Sequence, residues 1–247
     1  MLLASLVMPI KRLPTVLKAG FIPILLMVLW QFYGIDLVAK SPIGKSDFLG
    51  LALHAGKWFT SGLFLFVWLR AINRNEGGDW PLVPFLSLYA ILYFLYQLFQ
   101  WLAREGFTTI LRQMPIETQL QFSDWTVQLP FALFASALAV IPYIIYFRLS
   151  LGLSKIASGE HCSINESWEL GSVAPVALSL LAAGIYFIDL GLNGLFLLPV
   201  MLFFPEVTGI YFDGMYDWIK AYHFIEVVYI QAVFAAALFL FLRGNED

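Results

Sequence analysis

Long apolar segments recur along the whole chain and leave little polar sequence between them. A helix needs about 20 mostly apolar residues to cross a hydrocarbon core about 30 Å thick. Six segments approach this requirement, and one sequence with so many of them is typical of a protein whose solvent is a bilayer. The predicted spans are residues 16–33, 49–69, 82–102, 129–147, 173–188 and 224–242.

Composition supports the same class. Of 247 residues, 60% are hydrophobic and 13% are charged, with a mean hydropathy of +0.80. Soluble domains have about a quarter of their residues charged. We therefore predict an all-α protein, with residues 1–247 forming a single polytopic transmembrane helix bundle of about six spans plus short interfacial or re-entrant helices. The net charge of −3 argues against a nucleic-acid partner, which needs a clustered basic surface.

The stretch between the fourth and last spans is ambiguous. Residues 173–204 are too many for one untilted span, and Asp189, Gly191, Asn193 and Gly194 interrupt them. The favoured interpretation is a span at 173–188 followed by a half-span at 192–204 that re-enters the membrane or lies flat. Two full spans remain an alternative.

Loop charges predict the orientation, because Lys and Arg concentrate on the cytoplasmic side. With six spans, the opposite side receives five of these residues and the cytoplasmic side eight, which predicts that both termini are cytoplasmic. The eight are Lys11, Arg12, Lys18, Arg70, Arg74, Arg148, Lys155 and Arg243. Seven tryptophans, Trp68 among them, fall at or near predicted span ends, where an indole prefers the headgroup region.

Ser150–Leu170 is polar enough to form the main cytoplasmic connection. Ser163 and Glu166 have the Ser-x-x-Glu spacing of a capping box, which predicts a helix start at Ser163. We expect that helix to carry Trp168 at the interface and to run into the fifth span.

Two segments resemble the YciC-like family of bacterial inner-membrane proteins. One holds Arg70 at the exit of the second span with Glu76 six residues on. The other holds Arg148 at the exit of the fourth span and the pair Ser167-Trp168 before the fifth. The resemblance implies a fold of about six spans and a multi-pass location in the bacterial inner membrane, but it implies no particular chemistry.

The third predicted span carries polar side chains along one helical face. Their spacing of i, i+4, i+7, i+8 and i+11 places them on one side of a helix. Such a face indicates either a polar pathway or ligand site or an interhelical hydrogen-bonding seam, which is the commoner use. This predicted polar face consists of Tyr89, Tyr93, Tyr96, Gln97 and Gln100.

Two charged residues inside predicted spans form a second candidate site. Lys57 lies in the second span and Glu226 early in the sixth. Each needs a partner or a route to the interface. Snorkelling of Lys57 to the interface is the simpler interpretation, and an intramembrane Lys57–Glu226 ion pair is the sharper hypothesis.

Potential metal and haem ligands are few. The chain has three histidines, His54, His161 and His223, and one cysteine, Cys162. Helical di-metal sites recruit Glu and His from several helices, and a haem would need two axial ligands. No nucleophile elbow, phosphate loop or zinc-protease motif is present. We therefore predict no cofactor, no metal and no enzymatic activity.

Two functions fit these features. The first is an accessory, assembly or scaffold subunit that packs against other integral membrane proteins and contacts lipids. The alternative is a carrier or channel for a lipid or small amphiphile. Carriers tend to have paired broken helices in repeated halves, whereas only one break and no half-repeat is visible here. The accessory function is favoured.

Arg70 and Arg148 each lie where an outgoing span is predicted to reach the cytoplasm. Glu76 and Glu166 are the nearest cytoplasmic carboxylates in the sequence. Because an Arg can hold a carboxylate with two hydrogen bonds, we predict a cytoplasmic clasp in which at least one Arg pairs with Glu76 or Glu166. Contact of both arginines with lipid phosphate is the alternative.

Overall fold

The structure is a computed structural model that describes residues 1–30, 47–73, 80–113, 139–203 and 213–244. Within these ranges the chain is helical and contains no strand, which confirms the predicted all-α class. The helices are α1 (Leu2–Lys11), α2 (Leu13–Leu29), α3 (Asp47–Asn73), α4 (Leu82–Gln113), α5 (139–149), α6 (Leu151–Ala157), α7 (Ile164–Leu170), α8 (Pro175–Phe203) and α9 (Asp213–Arg243).

Four stretches in the described ranges are long and apolar enough to cross a membrane. A fifth is added if α1 and α2, which are bent by 77° at Arg12, count as one broken span. The chain is therefore a helical protein with several helices that could cross a membrane. The finer prediction of six spans is not confirmed in the described ranges. The four stretches are Leu82–Phe99, Ala139–Ala157, Pro175–Leu192 and Phe224–Arg243.

Helix α3, which contains the second predicted span, lies at the centre of the bundle. It packs against α2, α4, α6 and α9, and Phe64 and Leu69 in it are fully buried. Its 27 residues span about 40 Å. Because of its polar residues, α3 is not one of the four stretches that are apolar enough to cross a membrane. One of these polar residues, Thr60, donates a hydrogen bond within the helix, to the Gly56 carbonyl at 3.0 Å.

Trp68 of α3 belongs to the protein core. It is 1% exposed, and its indole N–H donates to the Ala232 carbonyl of α9 at 3.1 Å. Burial in the core does not fix its depth in a membrane, so its place in the headgroup region stays a prediction. Position along a helix indicates depth in the membrane, whereas the direction in which a side chain points is fixed by the neighbouring helices.

The fifth predicted span continues without a break. Helix α8 runs from Pro175 to Phe203, so the predicted interruption at residues 189–194 and the separate half-span at 192–204 are wrong. A glycine costs a helix interior only about 1 kcal/mol. Opening the helix in apolar surroundings would instead leave several backbone groups without hydrogen-bond partners, at several kcal/mol each.

The first half of the predicted cytoplasmic connection Ser150–Leu170 is buried. Helix α6 packs among α3, α4, α7 and α9, and Leu151 and Leu153 in it have no exposed area. Its polar composition therefore does not place this half in solvent, and its location on the cytoplasmic side stays a prediction. Serines gave the segment its polar composition, but Ser150 and Ser158 donate to carbonyls four residues earlier, at 2.8 and 3.0 Å. Such bonds allow a helical serine to be buried.

The predicted capping box is confirmed at the start of α7. Ser163 accepts a hydrogen bond from the Glu166 N–H at 3.3 Å, and the Glu166 carboxylate accepts one from the Ser163 N–H at 2.6 Å. The expected continuation of this helix into the fifth span is wrong, because α7 ends at Leu170 and a new helix begins at Pro175. Proline lacks an N–H and disfavours helical geometry in the residue before it.

One end of the bundle, which we call the basic end, gathers several of the described cations. They come from the α1–α2 joint, from the ends of α3, α5 and α9, and from α6. Loop charges in the sequence predict the same grouping on one side of the membrane. These cations include Arg12, Arg70, Arg148, Lys155 and Arg243.

Helix α1 packs across α9 and brings the two described ends of the chain together. The Tyr229 hydroxyl of α9 donates to the Leu6 carbonyl at 3.1 Å. The side chain of Met1 lies so close to Gly244 that a Cβ there would meet the Met1 Cε at 2.9 Å. Residues 1 and 244 therefore lie on the same side of the bundle.

Candidate functional site

The predicted polar face lies on α4 and points into the bundle. Tyr89 and Tyr93 are buried, and their rings lie 6.2 Å apart. Tyr96 is half-buried and its ring is 5.2 Å from that of Tyr146 on α5. Gln97 is within hydrogen-bonding reach of Tyr93. The side chain of Gln100 is outside the described residues.

Aromatic rings from three further helices continue this face into a seam, which we call the tyrosine seam. Tyr143 of α5 contacts Tyr96 at 6.0 Å and Tyr186 of α8 at 5.5 Å between ring centroids. Tyr146 contacts Phe234 of α9 at 5.4 Å. The seam therefore links α4, α5, α8 and α9, and the polar face takes part in helix packing.

Little open volume adjoins the tyrosine seam. A cavity bordered by Tyr96 and Tyr146 measures about 20 Å³. Such a volume holds about one water molecule. The Tyr89 hydroxyl is also within hydrogen-bonding reach of Ser61 on α3 and of Tyr146. The described part of the seam therefore offers interhelical contacts and no room for a substrate.

Lys57 lies near two carboxylates contributed by different helices. Its charge interacts with Asp189 of α8 and, less strongly, with Glu226 of α9. Lys57 is exposed at the surface of the bundle and Glu226 is buried, and no direct Lys57–Glu226 contact within 4 Å is formed in the described structure. Asp189 is thus a further candidate partner of Lys57, whereas its position in the sequence indicates only an interruption of an apolar stretch.

Arg70 is buried at the end of α3. Its guanidinium donates to the Ala157 carbonyl at 3.5 Å, at the C-terminus of α6, where the helix dipole favours a cation. It also lies 5.1 Å from the Trp80 ring, within the range of a cation–π contact. The predicted partner Glu76 is outside the described residues, so the Arg70 half of the cytoplasmic clasp stays a prediction.

Arg148 ties α5 to α7 through Trp168. Its Nε donates to the Trp168 carbonyl at 3.0 Å, and its guanidinium carbon lies 3.8 Å from the centre of the indole ring. A Cβ on Gly171 would lie 2.4 Å from the Arg148 side chain, so only a glycine leaves room for this approach. The described residues contain no Arg148–Glu166 ion pair, and the capping box engages Glu166. Pairing of Arg148 with Glu76, which is outside the described residues, stays a prediction.

Ser167 connects α7 to the joint between α5 and α6, and sequence reasoning missed this role. The side chain is fully buried. Its oxygen accepts a hydrogen bond from the Gly152 N–H at 2.8 Å and donates to the Leu149 carbonyl at 2.5 Å. One hydroxyl therefore satisfies backbone groups that the helix interruption at Ser150 leaves unpaired. The family resemblance pointed to the Ser167-Trp168 pair but not to this contact.

Two ionisable groups near α7 have shifted pKa values. The backbone and hydroxyl hydrogen bonds with Ser163 lower the pKa of Glu166, because they stabilise its charged form. Burial raises the pKa of Cys162, and the negative charge of Glu166 raises it further. Cys162 is therefore a poor thiolate source, which is the usual state of a buried structural cysteine.

A polar cleft of about 480 Å³ opens at the basic end. Arg12, Lys155 and Arg243 line it together with Asn73 and Glu160. The three cations are far apart in the sequence, where they indicate only the orientation of the chain in the membrane. Their convergence depends on the packing of α3, α6 and α9 around the α1–α2 joint, which no local pattern predicts.

No group of three or more His, Cys, Asp or Glu side chains that could hold a metal ion occurs within the described ranges. His161 is exposed, and the side chains of His54 and His223 lie outside the described part of the chain.

Comparisons with protein-family models, with curated proteins and with solved structures gave no match to this chain. The resemblance to the YciC-like family stays a prediction from the two sequence segments.

Proposed function

We propose that this chain is a non-catalytic, multi-pass membrane protein that acts as an accessory or assembly subunit by docking a transmembrane helix of another membrane protein. The membrane is the bacterial inner membrane, as the resemblance to the YciC-like family implies. The basic end faces the cytoplasm, since Arg and Lys concentrate on that side.

A groove on the outer surface between α5 and α8 carries this proposal. It measures about 380 Å³ and is lined by Ile144, Pro175, Val176, Ser179, Leu180 and Ala183. Val176 and Leu180 are 71% and 67% exposed. Ser179 and Ala183 lie four residues apart on α8, the small-xxx-small spacing that lets helix backbones approach closely within a bilayer.

Carriage of an amphiphile has weaker support. A carrier needs a polar site near the bilayer midplane with room for its cargo. The cavities beside the tyrosine seam and beside Lys57 measure about 20 Å³ each. Neither of these two cavities has room for a cargo, whereas the groove is open to the outside.

Photo-crosslinking tests the proposal. Benzoylphenylalanine replaces Leu180 in the groove or, as a control, Leu98 on the exposed face of α4, which is 50% exposed. We expect a discrete crosslinked protein from native membranes at position 180, and lipid adducts alone at position 98. The substitution Ala183→Leu fills the groove and should abolish the protein adduct.

Lipid adducts alone at both positions would contradict a docked helix. An identical protein adduct at both positions would indicate general crowding and would also contradict it. Purification of the chain as a monomer with one tightly bound amphiphile, together with lipid adducts alone, would favour the carrier function.

A further inference from the structure

The polar cleft at the basic end has a surplus of positive charge. Among the described residues, three cations line it, Arg12, Lys155 and Arg243, against one carboxylate, Glu160. Glu160 pairs with Lys155 at 3.0 Å. Within the described ranges, neither arginine has a carboxylate within 4 Å.

The Lys155–Glu160 pair does not close the cleft to an anion. Its side chains are 25% and 56% exposed, and an exposed ion pair of this kind contributes little to stability because water and salt screen it. The exposed Glu160 pair therefore leaves the Lys155 charge able to act on an anion in the cleft. An arginine instead presents a planar fork of donors that matches the oxygens of a phosphate.

Helix dipoles explain the positions of only two of the three cations. Lys155 and Arg243 lie in the last turns of α6 and α9, where a cation is favoured in any case. Arg12 is different, since it is at once the C-cap of α1 and the N-cap of α2. The two opposed helix ends cancel there, so the dipoles give no reason for a cation at this joint.

Neutral hydrogen-bonding groups complete the wall of the cleft. The Asn73 side-chain amide donates to the Ser158 hydroxyl at 2.7 Å, and that hydroxyl donates to the Ser154 carbonyl at 3.0 Å. The positions of Asn73 and Ser158 are thereby fixed before any ligand binds. A preorganised polar wall lowers the ordering cost of binding.

Apolar surface flanks the basic rim. Ile10 and Leu13, on either side of Arg12, are 62% and 51% exposed. Phe239 and Leu242 of α9 line the cleft itself. A ligand held here by its phosphate would lie beside surface suited to acyl chains, and basic pockets between helices at a membrane face are known to suit anionic headgroups.

From this arrangement we infer that the cleft is a binding site for a phosphate-bearing anion, with the headgroup of an anionic phospholipid as the source that its apolar rim favours. Arg12 and Arg243 hold the phosphate oxygens, and Lys155 adds a third charge. This inference is independent of the proposed helix docking, because the groove between α5 and α8 has no residue in common with the cleft.

Binding to the purified full chain in a neutral detergent tests the inference. The probes are dioctanoyl phosphatidylglycerol, the zwitterionic dioctanoyl phosphatidylcholine and inorganic phosphate. We expect saturable binding of one phosphatidylglycerol per chain, at least tenfold tighter than phosphatidylcholine. Arg12→Gln and Arg243→Gln should each weaken it roughly tenfold, the effect of losing a charge-assisted hydrogen bond.

Lys11→Gln is the matched control, because Lys11 is exposed beside Arg12 but does not line the cleft. It removes the same charge and should change the dissociation constant less than twofold. Arg243 is exposed, so its variant keeps the test decisive if Arg12→Gln destabilises the α1–α2 joint.

Three results would overturn the inference. These are no saturable binding of any probe, equal weakening by Lys11→Gln, and unchanged binding in folded Arg243→Gln. If inorganic phosphate displaces the lipid with an equal dissociation constant, the phosphate site stands and its ligand is a soluble phosphate. If the phosphate is at least tenfold weaker, the lipid source is supported.

Discussion

At the basic end, we expect removal of the Ser167 hydroxyl to lower the free energy of unfolding more than removal of any other side-chain hydroxyl. In Ser167→Ala, the Gly152 N–H loses its acceptor and the Leu149 carbonyl loses its donor, at a site with no exposed area. Each unsatisfied buried group costs about 1–3 kcal/mol. Alanine returns roughly 0.5 kcal/mol of helix propensity, so the net loss for the two groups should be about 2–5 kcal/mol.

Thermal unfolding in mild detergent, followed by tryptophan fluorescence, measures this loss. For a chain of this length, 1 kcal/mol corresponds to about 2–4 °C, so the midpoint should fall by roughly 4–20 °C. Ser172→Ala is the matched control. Its hydroxyl also donates to a carbonyl, that of Glu169 at 2.5 Å, but it is exposed and lies in a turn. The control should shift the midpoint by about 2 °C or less.

A double-mutant cycle measures how closely Gly152 and Ser167 pack. A Cβ on Gly152 would lie 3.1 Å from the Ser167 Oγ and Cβ. Gly152→Ala and Ser167→Ala should therefore be non-additive, because the smaller side chain at 167 relieves part of the crowding. If Ser167→Ala unfolds within 2 °C of the wild type, or no lower than Ser172→Ala, the claim that this hydroxyl stabilises the joint is wrong.

Two further predictions concern α7. The pKa of Glu166 is lowered from its usual 4.5, so the stabilisation from its charge is present above about pH 4.5 and is lost as pH falls through the lowered folded-state pKa. As the pH falls through this range, the thermal midpoint of the wild type should drop more than that of Glu166→Gln, which keeps an uncharged capping box. Equal pH dependence of the two midpoints would contradict this link between the Glu166 charge and stability. Because burial raises the pKa of Cys162, maleimide should label the native thiol at pH 7.5 at least tenfold more slowly than the unfolded one, and equal rates would show that the site is open.

Part of the basic end could be predicted from the sequence. The capping box at Ser163 and Glu166 is a local pattern, and its hydrogen bonds join groups three residues apart. The predicted start of the third span also coincides with the first residue of α4, Leu82, because Pro81 and Pro84 mark a helix start. Where the partner groups are near in sequence, composition and spacing are sufficient.

The same reasoning failed where a residue's partner lies on another helix. Arg148 was expected to meet a carboxylate, but Trp168 offers both a carbonyl and a ring face, and Gly171 gives the arginine room to reach them. Polar composition suggested that α6 was solvated, yet its serines bond to their own helix and its apolar side fills the core.

The sequence by itself determined the class of this protein, since apolar length and the scarcity of charge are local properties that already decide whether a chain suits a bilayer. It also predicted that the cations share one side, because loop charge depends only on the order of spans. Only the tertiary structure decided that Arg12, Lys155 and Arg243 border one cleft and that Ser167 reaches the α5–α6 joint. These arrangements depend on how helices far apart in sequence rotate and pack against one another, and a side chain's partner across a helix interface leaves no periodic trace in its own segment.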